Sequence, residues 1–308
     1  MINRVLIRMK VVQILYAYYQ NGNRSPESGM KELDFSLNKA YDLYNELLYL
    51  PVEITDHARQ RIEAARHKYR PTQEELNPNE KFIRNRFVAQ LAQNEELQNN
   101  LSNRKNDSPD KANYLKIFFD QIAQTPAYLE YMSSGNSSYE EDKELWRKLY
   151  KTYITGNEEI EQMLEEQSLY WNGDKDIIDT FVLKSIRRFE EKEGAKQSLL
   201  PKYANTEDYE YAVKLFRKSL EEAETYRQYI DQSLRNWESE RIALMDQVIL
   251  QIAVAEITSF PDIPINVSLN EYIEIAKQYS TPNSASFING TLAGIVNQLK
   301  KEGKLLKK

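Results

Sequence analysis

Arg4 and Arg8 stand four residues apart, and with Lys10 and Arg24 they make residues 1–26 basic without a single acid. Four residues is about one helical turn, so the two guanidinium groups fall on one helix face. A guanidinium presents a planar fork of donors that matches phosphate, so a phosphodiester backbone is the chemistry such a face could bind. An ordinary solvated helix face is the other reading, and both stay open. Phe287 is the second candidate. Beside polar Asn283 and Ser286, its ring could stack on an unpaired base or simply pack in a core.

Other chemistries find little support. His57 and His67 are the only histidines and sit ten residues apart among arginines, a poor spacing for metal ligands. The absence of cysteine removes disulfides, thiolate metal sites and cysteine nucleophiles together. No glycine-rich phosphate loop occurs. Adjacent acids such as Glu165 and Glu166 diverge on a helix, as a solvated face requires. The expectation is no catalysis, no metal, no cofactor and no small-molecule substrate.

The elements that must position these residues are helical. With 308 residues, 9 glycines and 21 tyrosines, the chain lacks the alternation of a sandwich or barrel. It is 41% hydrophobic and 29% charged, enough for one large domain or two small ones with much solvated surface. The net charge of −6 weighs against nucleic-acid binding. The charges are segregated, however. The chain end holds Lys300, Lys301, Lys304, Lys307 and Lys308, and a third basic stretch holds Arg59, Arg61, Arg66, Lys68 and Arg70. The first 20 residues lack the uninterrupted apolar core of a signal peptide, and no run nears the roughly 18 apolar residues of a membrane span. An intracellular, cytoplasmic protein without membrane contact is expected.

Periodicity predicts a first helix over about residues 3–20, with Val5, Met9, Val12 and Tyr16 on its apolar stripe and a stop at Asn21-Gly22-Asn23. A second helix, carrying Leu33, Leu37, Ala40, Tyr44 and Leu48, is expected to end near Pro51, and a third to run from Ile54 to Tyr69. Residues 71–202 read as helices separated by polar joints. Thr206 is expected to cap a helix whose first turn holds Glu207 and Asp208. From Ile242 to Ile257 apolar positions run almost all the way round, interrupted by Asp246, Gln251 and Glu256, which predicts the buried centre of a bundle. Ser268 and Glu271 read as a capping box, and Thr281-Pro282 as the start of the last helix. Ala285, Ile288, Leu292 and Ile295 keep helical spacing through Asn289-Gly290, with Gly290 allowing a neighbouring backbone to approach.

These residues resemble the NusB family of bacterial transcription antitermination factors. Arg4 and Arg8 followed by Gln13, Ile14, Leu15 and Tyr16 resemble its opening helix. Asp208-Tyr209, Ile230-Asp231, Trp237, Arg241, Asp246, Glu256, Ile263-Pro264, Asn270-Glu271, Ala276-Lys277, Ser284 and Phe287-Ile288-Asn289-Gly290 follow its pattern in order. The resemblance covers residues 1–22 and 203–300, and the long form is similar to versions in Bacteroidetes-type bacteria. It implies an all-α fold: a NusB-like helical bundle of two subdomains. The core would comprise residues 1–22 and 203–308, interrupted by a helical insertion at 23–202.

The resemblance also implies binding of boxA-like single-stranded RNA together with NusE, a small-subunit ribosomal protein. The assembly would join an RNA polymerase antitermination complex and promote processive rRNA transcription. Carried over by position, Arg4, Arg8 and Lys10 would meet RNA phosphates, and Asn283 and Phe287 would lie at the RNA surface. Tyr16 and Glu256 would face the NusE-type partner. Where the family opening has a denser arginine run, Val5, Leu6 and Ile7 separate Arg4 from Arg8. The basic stretch from Arg59 to Arg70 is expected to compensate. The alternative is a helical protein-interaction scaffold that keeps the fold without binding RNA.

Overall fold

The computed structural model describes residues 1–22, 25–102, 110–234 and 242–305. Asn23, Arg24, Trp237, Arg241, Lys307 and Lys308, singled out above, lie outside the described residues. The first ten helices are α1 (Arg4–Gln20), α2 (Pro26–Arg66), α3 (Gln73–Leu76), α4 (Arg86–Gln93), α5 (Glu95–Leu101), α6 (Lys111–Ile122), α7 (Pro126–Ser133), α8 (Tyr139–Leu149), α9 (Glu158–Gln167) and α10 (Lys175–Arg188). The remaining five are α11 (Thr206–Glu221), α12 (Ala223–Ser233), α13 (Leu244–Ser259), α14 (Ile265–Tyr279) and α15 (Ser284–Lys301). The fold is all-α. Among the described residues the only β feature is a parallel bridge between Ile2 and Tyr203. No helix among them is long and apolar enough to cross a membrane.

The chain divides into two compact units, one of residues 2–37 and 203–308, the other of Met1 and residues 38–202. The first change of unit falls inside α2, after residue 37. The Ile2–Tyr203 bridge ties the start of the chain to the point where it returns to the first unit. The long α2 replaces the two helices expected on either side of Pro51. A proline inside a helix removes one hydrogen bond and costs about 3 kcal/mol. Leu47, Leu48, Val52 and Ile54 flank it and are buried to 2% exposure or less, so packing on both sides outweighs that loss.

In the unit of residues 38–202, the Phe82 ring packs on Phe119, Tyr128 and Trp146 at 5.2–5.8 Å. Helix α8 continues directly into a π-helical turn at Tyr150–Ile154.

In the other unit α13 is the central helix, buried from Val248 to Ile257 on every side and packed against α1, α11, α12, α14 and α15. Helix α1 is also largely interior. Leu6, Ile7, Val11 and Val12 are fully buried whereas Val5 is exposed, so the stripe expected through Val5 is rotated. Gly29 lets α2 approach α11, because a Cβ there would stand 2.7 Å from Cζ of Phe216.

Three expected helix starts move. Asn205, not Thr206, caps α11, its Oδ1 accepting from the Asp208 amide at 3.1 Å. Helix α14 starts at Ile265, which places Ser268 inside it, and α15 starts after Asn283. Gly290 meets nothing within 4 Å of a built Cβ, so it is not a close-approach glycine. Gly294, one turn on, is: its Cβ would lie 2.9 Å from Ser233 Oγ.

Candidate nucleic-acid interface

The three polar residues that interrupt α13 are all buried, and each is given donors or acceptors by the surrounding helices. Gln251 donates to Tyr19 Oη at 2.7 Å and to the Ser219 carbonyl at 2.6 Å. Asp246 accepts from Ser280 Oγ at 2.6 Å and Ser284 Oγ at 2.9 Å, which fixes the turn where α14 passes to α15. Glu256 is the most heavily bonded. Arg8 donates to both its oxygens, Nε at 2.8 Å and Nη2 at 3.0 Å. Ser268 Oγ donates at 2.7 Å, Tyr272 Oη at 3.1 Å, and the Tyr211 hydroxyl donates as well. Arg8 also pairs with Glu271 at 3.4 Å. A buried polar group is tolerated only when its bonds are made, and here α1, α11 and α14 converge on one carboxylate to make them.

The electrostatics follow from this count of donors. Burial alone would raise the Glu256 pKa, but the Arg8 hydrogen bond and charge, with help from Tyr211 and Ser268, hold it below the usual carboxylate value. Burial alone would lower that of Arg8, and the same bonds outweigh it and raise it instead. Burial and the neighbouring Glu256 charge push the phenols of Tyr211 and Tyr272 well up. The node is a fixed, fully ionised pair with neutral tyrosines around it.

This arrangement corrects several expectations. Arg8 is 3% exposed and its fork is occupied by Glu256, so it cannot reach a phosphate at the surface. Lys10 is fully buried, as is Glu256, which therefore presents nothing to a partner protein. Ser268 is not a cap; it lies one turn inside α14 and donates to Glu256. The basic stretch in the 38–202 unit is ion-paired: Arg59 with Asp56, Arg61 with Asp120, Arg66 with Glu63 and Glu80, Lys68 with Glu75. Four of its five cations are compensated where they stand, and the fifth, Arg70, lies over the Tyr69 ring, which weakens the reason to expect the stretch to hold RNA.

Four predicted residues do reach the surface. Arg4 keeps 40% of its side chain exposed, with its guanidinium 5.1 Å from the centroid of the Tyr211 ring. Tyr16 is half-buried, its hydroxyl accepting from Gln20 at 3.0 Å. Asn283 is exposed at the start of α15, and Phe287 is half-buried one turn further on. Arg4 stacks over Tyr211, which bonds Glu256, whereas Asn283 lies beside Ser284, which bonds Asp246. Those anchors are ten residues apart on α13, about 15 Å along its axis. The candidate residues thus form two groups on one unit, not one cluster. Sequence reasoning missed Tyr211, Tyr272 and Glu271. Ser268 and Glu271, one turn apart on α14, meet Glu256 and Arg8 respectively, and the capping pattern concealed that signal.

Among the described residues no group of three or more His, Asp or Glu side chains is placed to hold a metal ion. Comparison with known proteins matches residues 176–297 to the NusB family. The match starts inside α10 and leaves out α1, which folds into the same unit as α11–α15 although residues 38–202 separate them in sequence. The transcription antitermination protein NusB of Salinibacter ruber is 36% identical over 132 residues, 41% of this chain and 82% of that protein. NusB of Natranaerobius thermophilus is 36% identical over 97 residues, 32% of this chain and 70% of its own length. NusB of Chloroherpeton thalassium is 33% identical over 122 residues, 39% of this chain and 58% of its own length. With that identity carried across most of two relatives and an all-α unit built around α13, the chain belongs to the NusB family.

Proposed function

We propose that this chain acts in transcription antitermination, binding boxA-like single-stranded RNA together with a NusE-type ribosomal protein within an RNA polymerase complex. The observation that carries the reading is 36% identity over 82% of a relative named transcription antitermination protein NusB. Its role is binding, not catalysis. Arg4 meets phosphate, Phe287 and Asn283 meet RNA as the second group, and Tyr16 faces the protein partner. Support for this division comes from exposure: these four side chains are the predicted contacts that solvent reaches.

The second reading, a helical scaffold that binds protein but not RNA, is favoured by the burial of Arg8 and Lys10, which withdraws two of the three cations of α1. Salt dependence separates the two. Each phosphate contact on a single strand contributes roughly 0.7 to the log–log salt slope, whereas a scaffold shows no saturable RNA binding. The test is fluorescence anisotropy of a boxA-containing RNA, with and without the NusE-type partner, for the wild type and an Arg4→Ala/Phe287→Ala variant. Partner-enhanced binding that the variant loses supports the antitermination reading. No binding in either condition overturns it in favour of the scaffold.

A further inference from the structure

With Arg8 engaged inside, the cation that accompanies Arg4 at the surface comes from α11. The Arg4 guanidinium sits 5.1 Å from the Tyr211 centroid, the Tyr211 and Phe260 rings are 5.0 Å apart, and Lys214 Nζ is 4.7 Å from the Phe260 centroid. Three elements, α1, α11 and the turn after α13, thereby set cation, ring, ring and cation in a row. Lys214 is exposed, and among the described residues no carboxylate lies within ion-pair distance of it. Arg4 has only a loose contact with Asp208 at 3.8 Å.

We propose that Arg4 and Lys214 together bind backbone phosphates of single-stranded RNA, with the half-buried Phe260 ring as the apolar surface between them. This rests on the RNA-binding reading above and names the cationic end of that site. Single-stranded nucleic acid is held by cations that track phosphates beside aromatic surfaces that accept bases, which is the combination on this face. In a chain of net charge −6, a local pair of weakly neutralised cations is where an anionic strand can approach. An exposed cation–aromatic contact is weak, so Lys214 exchanges Phe260 for phosphate readily.

The test measures anisotropy of a fluorescein-labelled boxA-containing RNA, with the NusE-type partner, as a function of salt. The variants are Arg4→Gln, Lys214→Gln and the double, with Lys214→Arg as rescue and Arg227→Gln on α12 as a general charge-loss control. Lys214→Gln is expected to weaken binding and flatten the salt slope by about 0.7, and the double variant by about 1.4. Lys214→Arg and Arg227→Gln should leave the slope in place. If the wild type binds RNA and Lys214→Gln binds it with the same affinity and slope, this site is wrong while the RNA-binding reading stands. If Lys214→Gln weakens only the partner protein, the face is a protein contact and the proposal falls. If the wild type binds no RNA, both fall. Thermal melts check that each variant remains folded.

Discussion

Arg8–Glu256 and Lys175–Asp179 are both buried ion pairs whose carboxylate also accepts from a tyrosine, one in each unit of the molecule. They differ in reach and in donor number. Arg8 and Glu256 are 248 residues apart in sequence, and five hydrogen bonds from α1, α11 and α14 fill the Glu256 carboxylate. Lys175 and Asp179 are neighbours on α10, Lys175 is shared with the Ile154 carbonyl of the π-helical turn, and Asp179 has one further donor, Tyr150. The electrostatic outcome reverses accordingly. Glu256 is held below the usual carboxylate range, whereas burial outweighs Lys175 and Tyr150 and raises Asp179. Burial does not by itself decide the charge state; the number and geometry of donors does.

Removing the cation from each pair is the sharpest way to break this comparison. Arg8→Met leaves Glu256 charged and without its main partner, and the expected loss is about 3–5 kcal/mol. Hydrogen exchange should rise in α1, α11 and α14. Lys175→Met should cost less, about 2 kcal/mol, because burial already raises the Asp179 pKa and protonation can relieve the carboxylate left without its cation. Its exchange should rise around α10 and residues 150–154. Equal losses from the two substitutions would mean that donor number is not the deciding variable. Ser268→Ala tests the same point within one node. It removes one of five donors, so denaturant titration should show a loss of about 1.5 kcal/mol, well short of that for Arg8→Met.

The parts of this structure legible in sequence are those fixed by local pattern. The apolar circuit of α13 announced a central helix, and scarce glycine announced an all-α fold. Asp246, Gln251 and Glu256 were visible as interruptions of that circuit. That all three would be buried was not, because that depends on Arg8, Ser280 and Ser284 arriving from other helices. The same blindness made Arg8 look like a phosphate ligand. Spacing of four residues puts Arg4 and Arg8 on one face, and both do lie over Tyr211, at 5.1 and 5.6 Å. Spacing cannot say that one turn of that face dips beneath the surface. Pro51 misled for a related reason: a local penalty was visible and the packing that overrides it was not.

The smallest expected effect comes from replacing both partners of the weaker pair and following stability with pH. The folded pKa of Glu256 is depressed, so its contribution is fully present above about pH 4.5 and is lost as pH falls through the depressed value. The folded pKa of Asp179 is raised, so its charge is penalised at neutral pH, and that penalty lifts as pH falls through the raised value. In the wild type the two slopes oppose each other on the acid side, Asp179 relieving strain before Glu256 gives way. Lys175→Met/Asp179→Asn keeps an acceptor for the Tyr150 hydroxyl, removes both charges, and should lie within about 1 kcal/mol of the wild type at pH 7. Its denaturation midpoint should no longer gain as pH falls through the raised Asp179 value, while the loss below pH 4.5 that belongs to Glu256 persists. A double variant as unstable as Lys175→Met alone would show that the pair itself stabilises the 38–202 unit, and the contrast with Arg8–Glu256 would then be one of degree only.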